Sequence, residues 1–244
     1  MSMTSDDSLI FDSAQLEVDG RCLLGPISLA ITEARVAVIG RNGAGKTTFL
    51  RLAAGLLAPS LGKVRVAGID PASDRKAMLS RIGILFQNPD HQIIFPTVFE
   101  ELAFGLRQQG LGKAEASKQV RDHLSAIGRK DWQDRLIHNL SHGQKQWICL
   151  EAILMMAPHT ILLDEPFAAL DLPTRIRLAR RLKGLKQRLI TITHDPLHAE
   201  SADRVIWLEA GQVAMDGSPQ QVLPAFHDAM TQIGARDADA DPSA

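Results

Sequence analysis

The eight residues Gly40-Arg41-Asn42-Gly43-Ala44-Gly45-Lys46-Thr47 constrain this chain more than any other feature. They match the pattern GxxxxGK[ST] in full. Their surroundings fit as well: the apolar run Arg35 to Ile39 precedes them, and the stretch that follows puts Leu50, Ala53, Ala54 and Leu57 on one helical face. A buried strand, a glycine-rich turn and a helix make a phosphate cradle. The glycines let backbone N–H groups turn inward around an anion, and the helix N-terminus adds partial positive charge at the same place. Lys46 is then within reach of the β- and γ-phosphates, and Thr47 offers a hydroxyl to Mg²⁺. Gly40, Asn42, Gly43, Ala44, Gly45, Lys46, Thr47 and Thr48 are the expected nucleotide-binding residues.

A phosphate cradle says only that a nucleotide binds; a reaction needs a group that holds metal and one that handles water. Ile161-Leu162-Leu163-Asp164-Glu165 supplies both, because a buried strand ending in two acids presents two carboxylates at its tip. Asp164 is the expected Mg²⁺ ligand and Glu165 the expected general base.

The rest of the chain reads as α/β. Short β-rich runs, Leu16 to Val18 and Ile27 to Ile31, suggest a small antiparallel sheet ahead of the phosphate loop, and Lys63 to Val66 and Ile82 to Phe86 add strands. From Thr97 to Ala157 the pattern is helical, punctuated by Gly110, Gly112 and Gly128, and predicts an inserted helical subdomain. Thr160 to Leu163 and Leu189 to Thr193 flank the amphipathic segment Pro173 to Lys186, an order that implies a parallel sheet. Arg204 to Leu208 and Gln212 to Met215 read as a hairpin, and Ser218-Pro219 as a helix start. The expected bounds are a flexible stretch 1–8, one domain over 9–228 with its helical insertion at about 88–158, and a flexible acidic tail over 229–244.

Composition narrows the classes. Lys and Arg number 27 against 28 Asp and Glu, so there is no basic excess of the kind that neutralises nucleic-acid phosphates. Cys22 and Cys149 stand far apart and form no CxxC, which suggests neither a disulfide framework nor a thiolate metal site. The polar, acidic opening and the short apolar run Ile148 to Ala157, interrupted by Glu151, predict neither a signal peptide nor a membrane span.

Leu140-Ser141-His142-Gly143-Gln144, followed by a helix, resembles the LSGGQ signature of the ATP-binding-cassette ATPases. Gln87 at a strand end, Ala169-Leu170-Asp171 after the acidic pair and His194 after the next strand fall in that family's order. The resemblance implies a RecA-like phosphate-loop core with a parallel sheet, an N-terminal antiparallel flank and a helical insertion. It also implies a head-to-tail homodimer on ATP binding, in which Ser141, Gly143 and Gln144 of one copy close over nucleotide held by the other, and Asp171 crosses the interface. By the same implication His194 contacts the γ-phosphate, and Gln87 serves both metal and catalysis while linking nucleotide to a transport partner. Two departures stand out. His142 replaces a signature glycine, and its ring is expected to point away from the phosphates. The family commonly stacks an aromatic on adenine from near Glu17 or Val18, where this chain has none, and Phe11 is spaced wrongly to substitute.

The segment Phe86-Gln87-Asn88-Pro89-Asp90-His91-Gln92, with Phe95-Pro96-Thr97-Val98 and Leu102-Ala103-Phe104-Gly105, resembles one branch in particular: the energy-coupling-factor importers for vitamins and for cobalt or nickel, and among them most closely the ATPases of biotin uptake. That implies peripheral attachment at the cytoplasmic face of a membrane, with a membrane-embedded coupling subunit and a substrate-binding subunit as partners and no nucleic acid. The alternatives are a cobalt or nickel importer of the same type, and a soluble cassette ATPase acting on nucleic acid or ribosomes. Three further features are discounted as sites of their own: His194 and His198, four residues apart but separated by Pro196, do not read as a zinc pair; the basic run from Arg175 to Arg188 reads as the solvated face of an amphipathic helix rather than a nucleic-acid patch; and Trp132, Trp147 and Trp207 read as core or interface residues.

Overall fold

The computed structural model describes residues 8–238. Two sheets and a helical lobe make up the chain. Strands β1 (Leu9–Val18), β2 (Arg21–Ile31) and β4 (Leu61–Val66) form an antiparallel sheet in the order β2-β1-β4. Along β2 buried and exposed residues alternate, as expected of a sheet with one face packed and one solvated.

The second sheet runs β5-β6-β7-β3-β8-β9, from β3 (Arg35–Ile39), β5 (Ile82–Leu85), β6 (Thr160–Asp164), β7 (Arg188–Thr193), β8 (Arg204–Glu209) and β9 (Gln212–Gly217). All pairings are parallel except β8 with β9, an edge hairpin. β3, β6 and β7 are buried along most of their length because helices cover both faces, which is why they read as unbroken apolar runs. One face takes α1 (Lys46–Ala53), whose Phe49, Leu50 and Leu52 pack into the core shared with the antiparallel sheet. The other takes α6 (Leu172–Lys183) and α7 (Pro219–Ala238), through Leu178 and Leu182 and through Val222 and Phe226.

Between β5 and β6 the chain leaves the sheet. After the short α2 (Arg75–Met78) and β5, helices α3 (Val98–Gln108) and α4 (Lys113–Ala126) and one face of α5 (His142–Met155) enclose their own core of Val98, Leu102, Leu106, Val120, Leu124, Trp132 and Ile148. Cys149, Leu150 and Ile153 on α5 pack instead with Leu85, Ile161 and Leu163 of the sheet. α5 is therefore shared by lobe and sheet.

Two expectations need correction. The stretch 229–238 continues α7 rather than opening a flexible tail, and Met230 still packs against the Phe226 cluster; residues 1–7 and 239–244, the remainder of the expected flexible ends, lie outside the described residues. The basic run is not one solvated face: Arg181 pairs with Glu151, and Arg188, fully buried at the start of β7, donates to the carbonyls of Thr32 and Glu33. The segment 75–78 was not anticipated as a helix because four residues carry no periodicity.

Candidate functional site

The parallel sheet decides where the chemistry gathers. In open α/β sheets, ligands sit beyond the carboxyl ends of the strands. Here β3 runs into the glycine-rich loop, β6 ends in Asp164 and Glu165, β7 is followed by His194, and β5 by Gln87. Strand register thus brings together residues far apart in sequence. Asn42, Gly43, Gly45, Lys46, Thr47, Thr48, Gln87, Asp164, Glu165 and His194 line one cavity of about 390 Å³, together with Leu23 and Ile192.

Gly45 is the N-cap of α1 at φ +98°, a left-handed value that side chains disfavour, and it is what lets the loop turn directly into the helix. Gly40 and Ala44 do not line the cavity. They shape the loop from behind: Gly40 abuts the Leu208 carbonyl, and Ala44 is buried with its N–H donated to Arg41 O. Lys46 folds over the loop, its Nζ donating to the carbonyls of Gly40 at 2.7 Å and Arg41 at 2.9 Å. Burial lowers the pKa of its ammonium, opposed by the carboxylates of Glu165, Asp164 and Glu209.

The acidic pair is divided by environment. Burial, then the adjacent Glu165, raises the Asp164 carboxyl above its ordinary pKa, against the pull of Arg51 and Lys46. Glu165 takes a left-handed backbone conformation, φ +46°, with its N–H on Ile192 O. Its Oε1 lies 2.8 Å from Nδ1 of the exposed His194. This is the geometry of a carboxylate oriented by a neighbouring imidazole. His198, the other histidine of that segment, turns away to pack on Phe167 at 4.5 Å.

The signature residues lie elsewhere. Ser141, Gly143, Gln144 and Asp171 line a second cavity, about 250 Å³, which shares no residue with the first. Ser141 caps α5 in a reciprocal box: its Oγ accepts from Gln144 N–H, and its own N–H donates to Gln144 Oε1 at 2.8 Å. Asp171 caps α6 by a single bond, its carboxylate accepting from Thr174 N–H. The His142 ring turns inward, with Nε2 buried and without a hydrogen-bond partner, and lines neither cavity. Phe11 stacks on Phe49 at 4.6 Å and is 1% exposed, so it is core and offers nothing to a base.

Sequence reasoning missed Leu23. It protrudes from β2 at 42% exposure over the phosphate loop. The signal was weak, since Leu23 and Leu24 are adjacent and only the register of β1 with β2 decides which is buried. It also passed over two buried acids. Glu101 accepts the N–H groups of Ile94 and Phe95, both at 2.9 Å, and so presents the loop after Gln87 with Ile94 exposed beside clefts lined by Phe95, Phe99 and Phe104. Glu151 lies on α5.

The comparisons agree on kinship. The profile of the ABC transporter family matches residues 24–168. The chain is 50% identical over 218 residues to the biotin transport ATP-binding protein BioM of Rhodobacter capsulatus, covering 89% of this chain and 93% of that protein. Among solved structures it resembles the cbiO1 protein of Clostridium perfringens, part of an ABC transporter complex, with a TM-score of 0.75, 30% identity and coverage of 93% and 94%. A bacterial ABC transporter cassette solved as a dimer has a TM-score of 0.75 and 25% identity, over 86% of this chain and 98% of that one.

Proposed function

From the premise that this chain belongs to the ABC transporter ATPases, as the ATP-binding subunit of an energy-coupling-factor type transporter, we propose that it energises a micronutrient importer, and specifically one for biotin. One observation carries the mechanism. The phosphate loop, acids, Gln87 and His194 share one cavity while Ser141, Gly143 and Asp171 line another, so each copy holds half of two sites. A head-to-tail pair of copies would complete both, and the dimeric cassette of the same fold supports this.

In that pair, ATP lies on the loop amides with Lys46 along its β- and γ-phosphates. Glu165 orients and deprotonates water while His194, hydrogen-bonded to it, faces the γ-phosphate. Ser141 and Gly143 of the other copy close the site. A hard divalent cation suits the oxygen set of the Thr47 hydroxyl, the Gln87 amide and the Asp164 carboxylate, and a positive ion there would relieve the unfavourable burial of that carboxylate. Mg²⁺, when bound, would draw off charge that develops on the phosphates. ATP binding closes the pair and hydrolysis reopens it.

Among the described residues no helix is long and apolar enough to cross a membrane, which fits peripheral attachment to membrane subunits. The exposed Ile94 and the aromatic clefts beside it are the docking surface we assign to them. Purification of the tagged chain from native membranes in mild detergent tests the reading. Recovery of a coupling subunit and a small multi-span subunit that retains radiolabelled biotin supports it. Retention of cobalt or nickel instead would refute the biotin assignment, and recovery with ribosomal proteins would refute the importer.

A further inference from the structure

Glu151, in the middle of α5, exposes none of its side chain, and it lines neither cavity of the candidate site. It is gripped from two other helices. Arg181 of α6 donates from Nε to Oε1 and from its terminal nitrogen to Oε2, both at 2.9 Å, and Nε2 of His123 on α4 lies 2.9 Å from Oε2. Burial raises the carboxyl pKa, yet the hydrogen bonds from His123 and Arg181 outweigh it and hold the group below the ordinary carboxylate range. A buried ion pair is a weak source of stability, because desolvation offsets much of the attraction. What a planar guanidinium fork supplies is geometry, since both of its bonds form at only one register of the two helices.

That register matters because of what the helices carry. Ser141 is the N-cap of α5 and Asp171 the N-cap of α6, and the two helices already touch near those caps: a Cβ on Gly143 would come within 2.5 Å of Thr174 Cγ2. Gly143 to Glu151 and Thr174 to Arg181 each span about two turns, or roughly 10–12 Å. The helices are therefore fixed at both ends of one short stretch, and α4 is fastened to the same point. We propose that Glu151 is a positioning residue for ATP hydrolysis: its grip on Arg181 and His123 holds α4, α5 and α6 as one body, so that Ser141, Gly143 and Asp171 reach a second copy's nucleotide together.

This inference rests on the head-to-tail reading, and the test separates the two. Glu151→Gln keeps the size and removes the charge, whereas Arg181→Lys keeps the charge and removes the fork. Three quantities are measured on the full chain: affinity for a fluorescent ATP analogue, turnover against protein concentration, and ATP-dependent dimerisation by sedimentation in a Glu165→Gln background. For both variants we expect affinity within about twofold of wild type, turnover at limiting protein down by about tenfold, and recovery as protein concentration rises. Wild-type turnover at every concentration, or nucleotide affinity falling in step with turnover, would overturn the proposal. If Glu151→Gln fails to fold, Arg181→Lys decides alone. If the unaltered chain neither dimerises with ATP nor shows concentration-dependent turnover, the head-to-tail reading fails first and this inference falls with it.

Discussion

Leu23 is the residue on which the base of the nucleotide should rest, and the consequence can be put in numbers. It leaves 42% of its surface exposed above the phosphate loop, and Ile192, the other apolar residue of that cavity, is buried. Complete burial of a leucine side chain is worth about 1.5–3 kcal/mol, so covering the exposed part with a purine contributes ~1 kcal/mol. Leu23→Ala should therefore weaken ATP binding roughly fivefold. Leu23→Tyr should tighten it, since aromatic stacking adds about 0.5–1.5 kcal/mol beyond area. Equilibrium titration with a fluorescent ATP analogue reads both, and inorganic triphosphate, which has no base, serves as competitor. Its affinity should be the same for all three proteins. Unchanged ATP affinity in Leu23→Ala, or an equal loss for triphosphate, would show that the base lies elsewhere or that the loop itself was disturbed.

Three further outcomes follow from the site. Glu165→Gln should leave nucleotide affinity intact and lower turnover by about 10²–10⁴-fold in single-turnover assays, as removal of a general base does; normal hydrolysis would take Glu165 out of that role. Asp164 has a raised pKa in the fold, so the native state holds its proton more tightly than the unfolded chain and stability falls as pH climbs from the ordinary carboxylate range through the raised value. Asp164→Asn should accordingly melt higher than wild type near neutral pH, with the gain shrinking as pH falls through the raised value and gone below about pH 4, while Mg²⁺-dependent turnover is lost; a lower melting point at neutral pH would contradict the electrostatics. Ile94→Asp, at an exposed position outside the nucleotide cavity, should keep the ATPase activity of the isolated chain and abolish co-purification of membrane subunits; retained partners would relocate the docking surface.

Legibility in the sequence followed how local each constraint is. The phosphate loop was readable because its glycines, lysine and threonine act within one turn of backbone, and the central strands because burial on both faces writes a short, unbroken apolar run. The antiparallel sheet was legible in outline only: β1 was anticipated from Leu16 yet begins at Leu9, since register shifts interrupt its alternation near Ser13. α7 was lost beyond residue 228 because its outer half is held by few apolar contacts, Met230 among them.

The site was legible as a set of residue types but not as two sets. Nothing along the chain separates Gln87 and His194, which join the phosphate loop, from Ser141 and Asp171, which do not; the division arises because the first pair follow strands of one sheet while the second pair cap helices on another face. Glu151 shows the same limit from the other side. In sequence it is one acid interrupting an apolar run, which reads as a reason against a membrane span, and only the helices that converge on it turn that acid into a three-way junction. A buried charge becomes informative when its partners are known, because its cost is fixed by desolvation while its use is fixed by which elements supply the compensating bonds. Here those elements carry Ser141 and Asp171 at their heads, so the physical reason for keeping a costly carboxylate in α5 and the reading of a half-site completed by a second copy lead to the same two helices.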